Sequence, residues 1–185
     1  MIDANKLRKG TTFTDNDNLY KVIDYSHQKM ARGGATIKTK VINLRSGSIT
    51  EKTFNSGEKV KDIHLDHEDV QYLYSDGNLY YFMNTETYEQ PALSKEILAD
   101  IIPYLVDGLV VKLSTYNGEA LDVELPTTIE MEVIDAEPGY AGDTATGANK
   151  AVTVSSGLEV QTPLFINIGD VIRIDTRTGN YLTRV

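Results

Sequence analysis

The 185-residue chain contains no cysteine, which excludes disulfides, thiolate metal sites and a thiol nucleophile. Proline is scarce at 5 and glycine moderate at 14, so no segment is collagenous, proline-rich or low-complexity. No run of 18 apolar residues exists to span a membrane, and the opening MIDANKLRKG lacks the apolar stretch of a signal peptide. The expectation is a soluble, cytoplasmic protein. Catalytic signatures are missing too: there is no serine in a nucleophile elbow, no His-Glu-x-x-His and no dinucleotide fingerprint. The small-residue stretch 139–147 reads as a loop, and no Gly-Lys-Ser or Gly-Lys-Thr follows it to cradle a phosphate. Paired carboxylates such as Asp135 and Glu137 fall in strand or turn sequence, which leaves a two-acid carbohydrate hydrolase the weakest of the readings. No enzyme, no cofactor and no metal is expected. The one imaginable metal cluster, His64, Asp66 and His67, would have its histidines sent to opposite sides by an extended chain.

What is present is alternation. Residues 19–25 (LYKVIDY) and 35–44 (ATIKTKVINL) read as strands, the second with Ile37, Thr39 and Val41 on one face and Lys38, Lys40 and Ile42 on the other. Between them, residues 30–34 (MARGG) offer no large apolar set to bury, and Gly33 and Gly34 permit the positive φ of a sharp reversal. The expectation is an exposed hairpin with Arg32 at its crest. Lys29, Arg32, Lys38 and Lys40 surround this tip, and no acidic residue occurs between His27 and Glu51. A phosphate-rich partner is the natural complement, with a merely solvated turn as the competing reading. His27 is expected to pack or solvate beside Lys29.

Charge divides sharply along the chain. Residues 1–63 carry 12 Lys and Arg against 7 Asp and Glu, whereas 64–185 carry 6 against 20. A basic first third can steer to RNA while the acidic remainder resists non-specific adhesion. The same boundary organises the strands. Residues 1–63 hold turn chemistry at 15–18 and 45–48 and a further strand at 49–54, which fits a small barrel, with 64–67 as connector. Residues 66–126 hold two hairpins: 70–74 with 79–83 around Asp76-Gly77, and 109–116 with 119–125 around Asn117-Gly118. Both dipeptides suit type I′ turns. One helix is expected between them, capped by Ser94, carrying Glu96 in its first turn, burying Ile97, Leu98, Ile101 and Ile102, and stopping near Pro103.

Strands, a connecting helix and more strands fit an OB barrel. The tyrosines there, including Tyr72, Tyr74, Tyr80 and Tyr81, are expected in the core and in cross-strand pairs, since almost no cation accompanies them. Residues 127–185 hold strands at 129–135, 151–154, 159–162, 171–176 and 181–184. Arg173, Arg177 and Arg184 with Tyr181 form the one basic and aromatic grouping outside the first unit. They are candidate RNA contacts, although Arg173 and Asp175 share a strand face and can pair.

The order of these motifs resembles bacterial elongation factor P over essentially the whole chain. The matching stretches are Leu7-Arg8-Lys9-Gly10, Glu51-Lys52-Thr53-Phe54, Gln71-Tyr72-Leu73-Tyr74 and residues 82–90 (FMNTETYEQ). The clearest is C-terminal, in Lys150, Gly157, Pro163-Leu164-Phe165, Gly169-Asp170 and residues 174–181 (IDTRTGNY). Val152 and Thr162 depart from the usual alanine and valine. The tip departs further, with Ala31-Arg32-Gly33-Gly34 in place of Pro-Gly-Lys-Gly or Pro-Gly-Arg-Asn-Ser.

The resemblance implies an all-β chain of three small barrels, an SH3-like (KOW-type) barrel followed by two OB folds, in an L-shaped arrangement that imitates transfer RNA. It implies a monomeric, non-enzymatic translation factor that binds the 70S ribosome, its RNA and proteins, beside the peptidyl-tRNA between the P and E sites. There it would relieve stalls at consecutive prolines. Arg32 is the implied contact and the candidate modification site, its modification state open. An elongation-factor-P-like paralogue with other stall preferences and a general RNA-binding or ribosome-binding module are the alternatives.

Overall fold

The computed structural model describes residues 1–28, 35–139 and 148–185. Three antiparallel sheets follow one another along the chain. The first contains β1 (Ile2–Asp3), β2 (Thr12–Asp15), β3 (Asn18–Gln28), β4 (Thr36–Asn43), β5 (Ile49–Asn55) and β6 (Lys59–Asp62), in the order β1-β6-β2-β3-β4-β5. The second contains β7 (Asp66–Ser75), β8 (Leu79–Asn84), β9 (Ala92–Ser94), β10 (Val110–Tyr116) and β11 (Glu119–Glu124), ordered β11-β10-β7-β8-β9. The third contains β12 (Thr128–Ala136), β13 (Asn149–Val154), β14 (Glu159–Pro163), β15 (Val171–Asp175) and β16 (Tyr181–Arg184), ordered β14-β13-β12-β15-β16. No helix among the described residues is long and apolar enough to cross a membrane.

Alternation sets each core. On β4, Ile37, Thr39 and Val41 are buried while Lys38 and Lys40 are exposed, as a two-residue period requires. The apolar face meets Phe13, Val22, Phe54 and Val60 in the first core. The second core is built from Val70, Tyr72, Phe82, Leu113 and Val123, and the third from Met131, Val133, Val152, Ile172 and Ile174. Tyr72 stacks on Tyr80 across β7 and β8, and Tyr74 on Tyr81, so the cross-strand reading of these tyrosines describes their packing.

Two local expectations need correction. The Asn117-Gly118 turn has φ of 51° and 81°, both positive as type I′ demands, but at Asp76-Gly77 only the glycine is positive, at 101°. There the Asp76 carboxylate accepts from the backbone N–H groups of Asn78 and Leu79, and this side-chain turn replaces the backbone one. The expected helix is a single turn, α1 (Lys95–Leu98), followed by a 3-10 turn at Ile102–Tyr104. Pro103 lacks an N–H, and its ring would meet the carbonyl of Ala99 in a continuing α-helix. Ser94 holds the N-cap position with extended φ and ψ but makes no side-chain cap bond. Of the expected stripe only Leu98 is fully buried; Ile97, Ile101 and Ile102 are half-buried against the same core.

The units are joined by packed surfaces. Leu19 and Leu44 of the first unit, Ile63 before the connector and Leu121 of β11 form a fourth core, each 6% exposed or less. Around it Lys21 Nζ lies 2.8 Å from Asp122 Oδ2, and Arg45 Nε 3.0 Å from Glu119 Oε1. At the other joint, Tyr104, Val106 and Leu109 of the second unit pack on the third core, and the Thr176 hydroxyl donates to the Pro126 carbonyl at 2.6 Å.

Candidate nucleic-acid interface

The basic hairpin grows from a strand that is half core and half arm. On β3, Leu19 and Val22 are buried, whereas every residue from Asp24 to Gln28 is exposed. The change falls at a bulge, where register with β4 shifts between Val22 and Asp24. A bulge bends its strand and sharpens its twist, which turns the outer half away from the barrel. Pairing nevertheless continues to Gln28↔Thr36, and β5 runs alongside as far as Thr36↔Asn55, so the arm is hydrogen-bonded to its outer end. The expected tip residues Lys29, Arg32, Gly33 and Gly34 lie outside the described residues, as does most of the 139–147 loop.

Lys38 and Lys40 share the outer face of this arm. Lys40 stands in register with Asp24 on one side and Glu51 on the other, Lys38 with Ser26 and Thr53. Neither lysine is ion-paired among the described residues, and the same holds for Lys6 and Lys9 at the arm's root. An unpaired exposed ammonium keeps its attraction for phosphate at little desolvation cost. The arm's other face carries a ladder that the sequence alone did not disclose. The Arg8 guanidinium lies 5.1 Å over the Tyr25 ring, and Tyr25 meets His27 edge-to-face at 5.7 Å. Arg8 also donates to the carbonyls of Asn5 and Leu7, which fixes its fork. Tyr25 stood in plain alternation, but its meeting with Arg8 depends on the N-terminal turn folding back.

The third-unit arginines are arranged differently. Arg173 Nη2 lies 2.6 Å from Glu130 Oε1, directly opposite it in the β12–β15 register, so its partner is Glu130 and not Asp175. Arg177 grips Asp175 with two bonds, 2.7 Å from Nη2 and 3.1 Å from Nε. That grip, joined by the Arg177 and Thr178 backbone N–H groups, holds the Asp175 carboxyl down at about 2. Arg184 approaches Asp170 at 3.7 Å and lies 5.5 Å over the Phe165 ring. Tyr181 packs half-buried against the third core.

Elsewhere, perturbed groups belong to ion pairs or turns, apart from Tyr72, whose hydroxyl is raised by burial in the second core. Burial pulls the Lys21 amine down, but the charge and hydrogen bond of Asp122 more than offset it, leaving a net rise. Asp62 is held low by the N-terminal amine 2.8 Å away. His67 Nδ1 meets the Ser114 hydroxyl at 3.2 Å, and among the described residues no group of three or more His, Asp or Glu is placed to hold a metal.

These features describe a chain of barrels with a basic arm at one end, and family comparison gives the same class. The Elongation factor P (EF-P) KOW-like domain matches residues 3–60, the Elongation factor P (EF-P) OB domain residues 65–123, and Elongation factor P, C-terminal residues 129–184. Elongation factor P of Thermoanaerobacter sp. (strain X514) is 49% identical over 185 residues, covering 100% of both chains. That of Moorella thermoacetica is 47% identical over 184 residues, again covering 100% of both. Among solved structures, Eukaryotic translation initiation factor 5A from Methanococcus jannaschii aligns with a TM-score of 0.48 at 20% identity, covering 68% of this chain and 90% of that one. The chain belongs to the elongation factor P family and is a translation elongation factor.

Proposed function

We propose that this factor binds the 70S ribosome beside the peptidyl-tRNA, between the P and E sites, and speeds peptide-bond formation where consecutive prolines stall. The observation that carries the reading is the full-length family match, joined to an arm on which Lys38 and Lys40 are exposed and without an ion pair among the described residues. The protein acts as a monomer of the arginine-tipped branch, its three barrels imitating transfer RNA. Arg32 extends to the CCA end, Gly33 and Gly34 give it close approach, and Lys29 and Lys40 engage the backbone alongside. Arg177 and Arg184 supply secondary contacts near the small subunit, with Arg173 and Tyr181 behind them.

The mechanism is one of placement. Proline is a constrained reactant, and holding the peptidyl end in attack geometry recovers rate with no proton transferred by the factor. A guanidinium suits the task because it is permanently charged and its fixed donors bridge phosphate and ribose oxygens. Arg32 is also the residue for which modification is proposed. Protein made with and without the host's modifying enzymes, compared by intact mass and by activity, decides whether arginine alone suffices. Tri-proline synthesis on purified ribosomes tests the whole reading: acceleration by the wild type supports it, and no acceleration by folded, bound protein made with the host's modifying enzymes refutes it.

A further inference from the structure

The outer face of the second barrel carries two uncharged rows beside the charged row of Asp69, Lys112 and Glu124. In one row Val110, Gln71 and Met83 stand in register across β10, β7 and β8; in the next, Tyr74, Tyr81 and Ala92 stand across β7, β8 and β9. Val110 is 47% and Tyr74 54% exposed, so large apolar groups meet solvent here without a covering element. Tyr74 and Tyr81 stack with centroids 4.7 Å apart and planes 21° from parallel. At the end of this pair sits Asp76, whose Oδ2 accepts from the Tyr81 hydroxyl at 3.1 Å while Oδ1 accepts from two backbone N–H groups. These bonds fix the carboxylate beside the rings and hold its pKa below the usual range, the backbone bonds from Leu79 and Asn78 being the largest causes.

A stacked aromatic pair ending in a fixed carboxylate is the chemistry that selects a cation: ring faces attract it by their quadrupole and the carboxylate by charge. RNA is disfavoured by the same inventory. Between residues 66 and 126 there are two basic side chains against twelve acidic ones, and one of the two, Lys112, is 3.4 Å from Asp69. An aromatic platform with no cationic groove, and a carboxylate at its edge, repels phosphate. We infer that this face docks a basic segment of a ribosomal protein, which lays an arginine or lysine against Tyr74 and Tyr81 and pairs it with Asp76. The inference rests on the ribosome reading above, since it requires a partner on that particle.

The test separates the two. Asp76→Asn keeps an oxygen to accept from Asn78 and Leu79, removes the charge and turns the Tyr81 hydroxyl from donor to acceptor opposite the new amide NH2; Tyr74→Ala removes the exposed ring. Both are titrated in tri-proline synthesis on purified ribosomes beside the wild type. Each should raise the concentration for half-maximal rate by about threefold to tenfold with the maximal rate retained. A photo-crosslinking p-benzoylphenylalanine at position 74 should join a protein of the bound ribosome at a peptide rich in arginine or lysine. Unchanged half-saturation in both variants overturns the inference. So does crosslinking only to RNA, only to a second copy of this chain, or to nothing while bound. Failure of the wild type to accelerate synthesis would instead strike the ribosome reading.

Discussion

The arm of the first barrel and the arginine loop of the third are both basic in sequence, yet one displays its charges and the other spends them on itself. Lys38 and Lys40 stand on an exposed strand face without an ion pair, while Arg173, Arg177 and Arg184 each meet a carboxylate. Count of cations is therefore a poor guide to contact. The loop 175–180 is also a joint: Thr176 holds the carbonyls of Pro126 and Thr127, and Gly179 passes beneath the Tyr104 hydroxyl. A surface that is already hydrogen-bonded must lose those bonds to gain new ones, and one that is free need not.

The largest effect expected from this contrast is on the joint. Gly179 has φ of +75°, and a Cβ there would stand 3.1 Å from the Tyr104 hydroxyl, so Gly179→Val should cost about 1–3 kcal/mol in urea unfolding. Arm lysines should behave oppositely. The double change Lys38→Gln, Lys40→Gln should leave unfolding nearly unmoved, while weakening ribosome binding by about tenfold at low salt and flattening its salt dependence. A smaller effect is expected at Asp175, and it has a pH signature. Its folded pKa of about 2 lies below the ordinary carboxylate value, so its contribution is fully present above the unfolded pKa and lost as pH falls towards 2. Asp175→Asn should accordingly be less stable than the wild type at pH 6, and the gap should close on acidification. Smallest of all, Arg173→Gln should change ribosome affinity by less than about twofold, because Glu130 already holds the guanidinium. An effect equal to that of the arm lysines would erase the distinction.

Much of the architecture was legible because it is written locally. Strand alternation such as Ile37, Thr39, Val41 and the Asn117-Gly118 turn needs only neighbouring residues. The helix after Ser94 was overextended, because its apolar spacing carries a helical signal that Pro103 cuts short. Asp76-Gly77 misled in a similar way, since a side-chain carboxylate competed with the backbone turn the dipeptide favours. The joints were not legible at all. Leu19, Leu44, Ile63 and Leu121 come from four distant stretches, and their meeting, with Lys21 on Asp122, packs the two units together where the sequence showed only a connector. At the candidate site the sequence located the arm but could not tell free cations from paired ones, because pairing depends on register. Glu130 opposite Arg173 is such a case.

The central claim is that the arm places its terminal arginine against the peptidyl end without chemistry of its own. Synthesis of a three-proline peptide on purified ribosomes, with wild type and Arg32→Ala each at saturating concentration, tests it most directly. The account predicts that Arg32→Ala still binds but loses most of the acceleration, a loss in maximal rate that saturation does not recover. Full acceleration by bound Arg32→Ala would contradict it.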